Sequence, residues 1–199
     1  MDRKGVFICI EGLDGCGKTT QAKLLAGKLQ KSHSAIYTAE PSRGSIGTFI
    51  RKSILYREKR LPSVVEALLF AADRVEHVQN EVLPALRQGK LVISDRYVYS
   101  SLAYQGAAGL SLEWIQKINE HALRPDLAIF IDVNPETVMQ RLKANRSVME
   151  NLETQRKVRE IYLQFVEKGD LIRIDGNKPK NAVAQALHTA VLKFLNANH

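Results

Sequence analysis

Cysteine is scarce in this chain: two residues among 199, Cys9 inside an apolar run and Cys16 in a glycine-rich segment. Thiols in such different settings suggest neither a disulfide nor a metal site, and the usage fits a reducing cytoplasm. Long apolar stretches are missing too. No run approaches the ~20 residues that span a bilayer. Only Val6 to Ile10 separates the basic Arg3-Lys4 from Glu11, so neither a signal peptide nor a membrane anchor is expected. No repeat, low-complexity tract or linker divides the chain, which predicts one domain over residues 1–199. The five histidines show no spacing that suggests a metal site or a triad. Acidic residues are the rarer charge, 21 against 29 Lys and Arg, for a net charge of +8. Such an excess invites a nucleic-acid partner. The basic residues are nevertheless spread out and interleaved with acids, apart from small groups at Arg51-Lys52, Arg57 to Arg60 and Arg156 to Arg159. Small, highly anionic substrates account for the excess equally well.

What is present is more specific. Gly12-Leu13-Asp14-Gly15-Cys16-Gly17-Lys18-Thr19 matches the phosphate-loop pattern at every fixed position. Before it, Val6 to Ile10 reads as a buried strand; after it, Ala22, Leu24, Leu25 and Leu29 carry the spacing of one helix face. Glycines let backbone N–H groups turn inward, a helix N-terminus adds partial positive charge, and Lys18 adds a full one. Thr19 offers a hydroxyl to Mg²⁺, with Thr20 beside it. The segment predicts a nucleoside triphosphate site.

Apolar runs at 6–10, 35–38, 91–94, 127–132 and 171–175 are the candidate strands. Helices are predicted near 18–32, 45–57, 62–88, 111–121, 135–145, 150–168 and 180–196. The alternation argues for an α/β fold with a parallel sheet covered on both faces. Leu127 to Ile131 shows no polar alternation, as a central parallel strand should. Asn134-Pro135 reads as helix N-cap and first helical position.

A phosphate loop alone leaves GTPases, nucleic-acid or motor ATPases and small-molecule kinases open. The nearest approach to a guanine-reading Asn-Lys-x-Asp is Asn177-Lys178-Pro179-Lys180, which puts a cation where the base needs a carboxylate. Hydrolytic ATPases usually end a second acidic strand in Asp-Glu; here Leu91 to Asp95 is followed by Arg96. A cation beside the Mg²⁺-side carboxylate suits an anionic acceptor better than water. The kinase class is favoured.

In the helix predicted from Pro62, an apolar stripe runs through Val64, Val65, Leu68, Ala72, Val75, Val82 and Leu86 and is expected to face the core. Relative to Leu68, Phe70 lies about 200° and Arg74 about 240° around the helix. An aromatic on the polar face, one turn from an arginine, could stack on a base while Arg74 bonds its edge or a phosphate; packing against a neighbouring helix is the other reading of Phe70.

Phe7-Ile8 through Glu11-Gly12-Leu13-Asp14-Gly15-Cys16-Gly17-Lys18-Thr19-Thr20-Gln21 resembles the opening of the thymidylate kinases. So do Glu40-Pro41, Leu69 to Arg74, Asp95-Arg96-Tyr97, Ala103 to Gly106, Pro125-Asp126-Leu127 and Arg173 to Gly176, all in family order. The resemblance implies a three-layer P-loop NTPase fold with about five parallel strands and a short lid, and a homodimer. It implies ATP-dependent phosphorylation of dTMP to dTDP with Mg²⁺. Another pyrimidine monophosphate such as dUMP, or a nucleic-acid-stimulated ATPase, is the alternative.

By the same resemblance, Gly12 to Thr20 hold the ATP phosphates, with Lys18 on the transferred group and Asp14 near the acceptor sugar or the Mg²⁺ water shell. Phe70 stacks on thymine and Arg74 bonds its edge. Arg96 clamps the acceptor phosphate, Asp95 orders Mg²⁺ through water, and Arg43 is a further acceptor-phosphate contact. Tyr104 lies under the deoxyribose, while Ser101 and Gln105 line the base pocket. Arg141 and the loop after Asp175-Gly176 sandwich adenine. Position 15 is Gly, where some members place an arginine, so the catalytic cation is expected from the lid at Lys143 to Asn151, as Arg146. Tyr97 and Tyr99 are expected to pack rather than bind, and Arg156, Lys157 and Arg159 to form a solvated face, with lid contacts the alternative.

Overall fold

Five short runs rich in Val, Ile and Leu pair into one sheet: β1 (Val6–Gly12), β2 (Ala35–Ala39), β3 (Leu91–Asp95), β4 (Leu127–Asp132) and β5 (Ile172–Asp175). Their order is β2-β3-β1-β4-β5 and every pairing is parallel. This computed structural model describes residues 4–30, 32–55, 61–142 and 151–197. The helices are α1 (Lys18–Leu29), α2 (Ser45–Ser53), α3 (Ser63–His77), α4 (Leu83–Arg87), α5 (Val98–Ala107), α6 (Leu112–Ile118), α7 (Pro135–Arg141), α8 (Leu152–Glu167) and α9 (Lys180–Ala197). Helices α1 and α9 pack together along the sheet, while α4, α5 and α8 contact β3, β1 and β4. Every residue of β3 and β4 is buried, as strands flanked by helices require.

The order places β1 between β3 and β4, so the chain reverses direction across the sheet at the C-terminal end of β1. Ligands of open α/β sheets bind at such a point. Register aligns Ile10 with Asp95 and Gly12 with Ile131, which brings the phosphate loop, the β3 end and the β4 end to one edge.

Two predicted elements need correction. The single helix over 62–88 is α3, a π-helical segment at Val78–Val82, and α4. The wide turn throws the two halves of the apolar stripe out of register. Val82 and Leu86 are buried, but Val64, Val65, Leu68 and Val75 are 39–47 % exposed. The face expected to be polar is the one packed inward, with Glu66, Ala67, Ala71, Asp73, Arg74 and His77 buried. The second correction is α5, which was not predicted. Its start, Tyr97-Val98-Tyr99, favours strand locally, and packing on α8 overrides that preference.

Smaller differences follow. Asn134 holds the N-cap position before Pro135 but makes no side-chain cap bond; its backbone N–H donates to Asn177 Oδ1 at 3.1 Å. Arg159 is only partly solvated, since it forks onto the buried Asp132 at 2.6 and 2.9 Å. Arg156 and Lys157 do lie outward, paired with Glu136 and Glu153. Tyr97 and Tyr99 pack as expected, edge-on to Phe7 at 4.8 Å and Phe165 at 5.3 Å.

Candidate active site

The loop between β1 and α1 begins the site. Gly15 and Gly17 have φ of 79° and 94°, the left-handed region where a side chain is strained. At Gly15 a Cβ would also meet Leu142 Cγ at 2.8 Å, so the end of α7 closes over this point of the loop. A side chain at position 15 would have to displace Leu142. Lys18 is buried, its Nζ donating to Leu13 O at 3.0 Å and standing 3.5 Å from Asp14 Oδ1. Thr19 and Thr20 face the open edge.

Beside the loop, Thr19 Oγ1 donates to Asp95 Oδ2, which also receives Tyr37 OH at 3.4 Å. Asp95 Oδ1 is buried with no protein partner. Hydroxyl and carboxylate oxygens, one of them unpartnered, fit a hard cation such as Mg²⁺, which takes few protein ligands and keeps water and phosphate for the rest. No cluster of three His, Cys, Asp or Glu able to hold a metal exists among the described residues. Cys9 and Cys16 are buried free thiols.

Arg96 follows Asp95 and turns its guanidinium to Asp14 Oδ1 and, at 3.0 Å, to Ser100 Oγ. The guanidinium lies over the Tyr104 ring, 5.0 Å from its centre, and Tyr104 OH accepts the Asp14 backbone N–H at 2.9 Å. Burial by itself would raise the Asp14 carboxyl, but the Arg96 and Lys18 charges outweigh it and hold that group well below the usual range. Two cations, one from the triphosphate loop and one from the end of β3, therefore converge on a single carboxylate oxygen.

A second group of side chains is polar and buried. Arg74 Nη2 donates to Glu40 Oε2 at 2.7 Å and to Ser101 Oγ at 3.1 Å, and Nη1 donates to Asn119 Oδ1. Its Nε and the buried Gln105 Oε1 have no partner. Ser101 and Gln105 stand four residues apart on α5 and so share a face. Phe70, one turn before Arg74, is half-buried, and Arg43 is exposed before α2. On the other side, Arg141 ends α7 and is exposed next to Leu142, while the Gly176 N–H donates to Asp132 O at 2.8 Å and keeps the Asp175-Gly176 turn against β4. Arg146 lies outside the described residues, as does the lid segment apart from Asn151, which caps α8.

The family profile described as Thymidylate kinase matches residues 10–187, from the end of β1 into α9. The chain belongs to the thymidylate kinase family. It is 49 % identical to a probable thymidylate kinase of Pyrococcus abyssi over 179 residues, covering 86 % of this chain and 87 % of that one. It is 39 % identical to a probable thymidylate kinase of Staphylothermus marinus over 198 residues, 98 % of each chain. A thymidylate kinase of Caldanaerobacter subterraneus subsp. tengcongensis is 41 % identical over 202 residues, with 96 % and 97 % covered. Membership makes the protein an enzyme of the nucleoside monophosphate kinase class and accounts for its P-loop fold.

Sequence reasoning missed the buried groups that hold the site. Glu11, Glu40, Asp73, His77, Ser100, Asn119 and Tyr162 come together only through tertiary packing. One signal was available: Glu11 is a carboxylate at the end of an otherwise apolar strand. Glu40 and Asp73 lie within the segments Glu40-Pro41 and Leu69 to Arg74, while His77, Ser100, Asn119 and Tyr162 carry no local mark.

Proposed function

We propose that the enzyme transfers the γ-phosphoryl group of ATP to the 5′-phosphate of dTMP, giving dTDP and ADP, with Mg²⁺ as cofactor and in the cytoplasm, and that residues 1–199 work as one kinase domain. The observation that carries this reading is the meeting of Lys18 and Arg96 on Asp14. A hydrolase needs a cation on its triphosphate side only. A second arginine aimed at the same point suits a second anion.

In this reading Gly12 to Thr20 cradle the ATP phosphates, Lys18 neutralises the transferring group, and Arg96 holds the acceptor phosphate in line. A nucleoside monophosphate has a second pKa near ~6 and is largely dianionic at neutral pH, so no general base is required. Asp14 neutralises the two cations until phosphates compete for them. Thr19 and Asp95 would hold Mg²⁺, whose chemistry there is neutralisation of phosphate charge. Arg74, Ser101 and Gln105 form the polar end of the base pocket, with Phe70 against the ring and Tyr104 beneath the sugar. Arg43 reaches the acceptor phosphate from the rim, Arg141 and the Asp175-Gly176 turn take adenine, and Arg146 supplies the lid cation.

Homodimer formation belongs to the same proposal. Phe49 on α2 and Val64, Val65, Leu68 and Val75 on α3 are all at least 39 % exposed, and α2 packs on α3. An apolar stripe in this position suits burial against a second copy across a twofold axis. No described helix is long and apolar enough to cross a membrane.

A panel of monophosphates with ATP tests the substrate. The reading expects dTMP to give the highest kcat/KM. A preference for dUMP or a modified pyrimidine would move the assignment to another monophosphate, and turnover dependent on DNA or RNA would end the kinase reading.

A further inference from the structure

Arg96 has φ of 73°, the only non-glycine residue with positive φ among the described residues. A side chain holds that conformation only where its surroundings over-determine it. The Arg96 backbone is tied on both sides, its N–H donating to Ile10 O at 3.0 Å and its carbonyl accepting Ser94 Oγ at 2.7 Å, and the bonds beyond it converge on Glu11, which is completely buried at the end of β1, one residue before the phosphate loop. Glu11 Oε1 accepts the backbone N–H of Tyr97, the residue after Arg96, at 2.9 Å. Its Oε2 accepts Ser100 Oγ at 2.6 Å and Tyr162 OH at 3.0 Å. Ser100 Oγ in turn accepts Arg96 Nη1 at 3.0 Å. One carboxylate thus fixes the backbone just past Arg96 and, through one hydroxyl, the guanidinium at the far end of the same side chain.

We propose that Glu11 is a positioning residue of the acceptor-phosphate clamp: together with the Ile10 and Ser94 bonds it holds Arg96 in its left-handed backbone conformation, and through Ser100 it aims the guanidinium at the phosphate-transfer point. The inference rests on Arg96 binding the acceptor, as set out above. Burying a carboxylate is costly where an apolar side chain would fill the same place. Ile10, which precedes it on β1, and Phe130, which pairs with it on β4, are apolar. The carboxylate is therefore out of keeping with the strand and in keeping with the turn it grips. Tyr162 extends the same grip to α8, the helix that begins at the end of the lid segment. Acceptor binding and lid-side packing thereby share one carboxylate.

The test uses Glu11→Gln, which keeps shape but removes charge, and Ser100→Ala, which cuts only the link to the guanidinium. A crystal structure of ligand-free Glu11→Gln reports the Arg96 conformation without reference to any substrate. Michaelis constants for dTMP and ATP report the clamp. Arg96 is expected to leave its left-handed conformation or lose Ser100 in Glu11→Gln. KM for dTMP should rise at least ~10-fold while KM for ATP changes less than ~2-fold, with a smaller rise of the same selectivity in Ser100→Ala. An unmoved Arg96 with unchanged constants overturns the proposal, and so does an equal loss in both constants, the mark of general damage. If Glu11→Gln does not fold, Ser100→Ala decides by the same split. If the wild-type enzyme does not use dTMP, the substrate reading fails, and the position of Arg96 in the crystal still decides the role of Glu11.

Discussion

Arg74 and Glu40 form an ion pair of 2.7 Å whose side chains are 2 % and 4 % exposed. The other oxygen of Glu40 faces His77 Nδ1 at 3.1 Å, and Thr38 Oγ1 meets the far side of that ring at 2.7 Å. Two residues of α3, three apart, therefore clasp one carboxylate from the end of β2. Removing Glu40 leaves a buried guanidinium with only neutral partners, Ser101, Asn119 and the Tyr97 ring. Glu40→Ala should cost about 3–5 kcal/mol of stability, read by urea denaturation. A loss well under 1 kcal/mol would mean that the pair does not anchor the pocket.

Phe70 is half-buried and projects from α3 one turn before Arg74. Phe70→Ala should cost less than the ~3–5 kcal/mol of a fully buried ring and should lose about 1–3 kcal/mol of acceptor binding if the ring stacks on thymine. KM for dTMP would rise roughly 5- to 150-fold with KM for ATP little changed. A large fall in melting temperature with an unaltered dTMP constant would make Phe70 a packing residue.

Lys18 contributes one hydrogen bond, to Leu13 O, and one loose ion pair. Lys18→Ala should therefore lose about 0.5–1.5 kcal/mol of stability and at least ~10²-fold in kcat. Near-normal turnover in the folded variant would remove Lys18 from phosphoryl transfer.

The parts legible beforehand were those with local signatures. The phosphate loop carries its chemistry in consecutive residues, and the buried strands announce themselves by apolar runs such as Leu127 to Ile131. The inward face of α3 was misread because its apolar stripe is at the surface, while its buried side carries Arg74, Asp73 and His77, each bonded to residues far away in sequence. Helical periodicity reports which face is apolar, not whether that face is buried in the core. Helix α5 was missed because Val98 and the tyrosines around it favour strand locally, and the gain from packing on α8 has no trace in those residues.

Burial pushes the Glu11 carboxyl up to about 7, against the opposing bonds of Ser100, Tyr162 and Tyr97 and the attraction of Arg96. Between its ordinary value of 4.5 and about 7 the folded protein then binds more protons than the unfolded chain, so its stability falls as pH rises through that window. Asp14 acts oppositely: its depressed carboxyl adds stability above the ordinary value of 3.8 that is lost as pH falls through the lower folded value. Glu11→Gln should abolish a decline of about 3 kcal/mol in the upper window and leave the acid limb in place. Denaturation profiles of both proteins across the two windows check this, and parallel profiles would assign the upper window to another group.

The most direct measurement is product analysis after incubating the purified enzyme with ATP, Mg²⁺ and dTMP. Transfer between two anions held by Lys18 and Arg96 predicts dTDP and ADP in equal amounts, with no free phosphate above background. ADP and inorganic phosphate without dTDP would contradict it, because water and not a nucleotide phosphate would then be the acceptor.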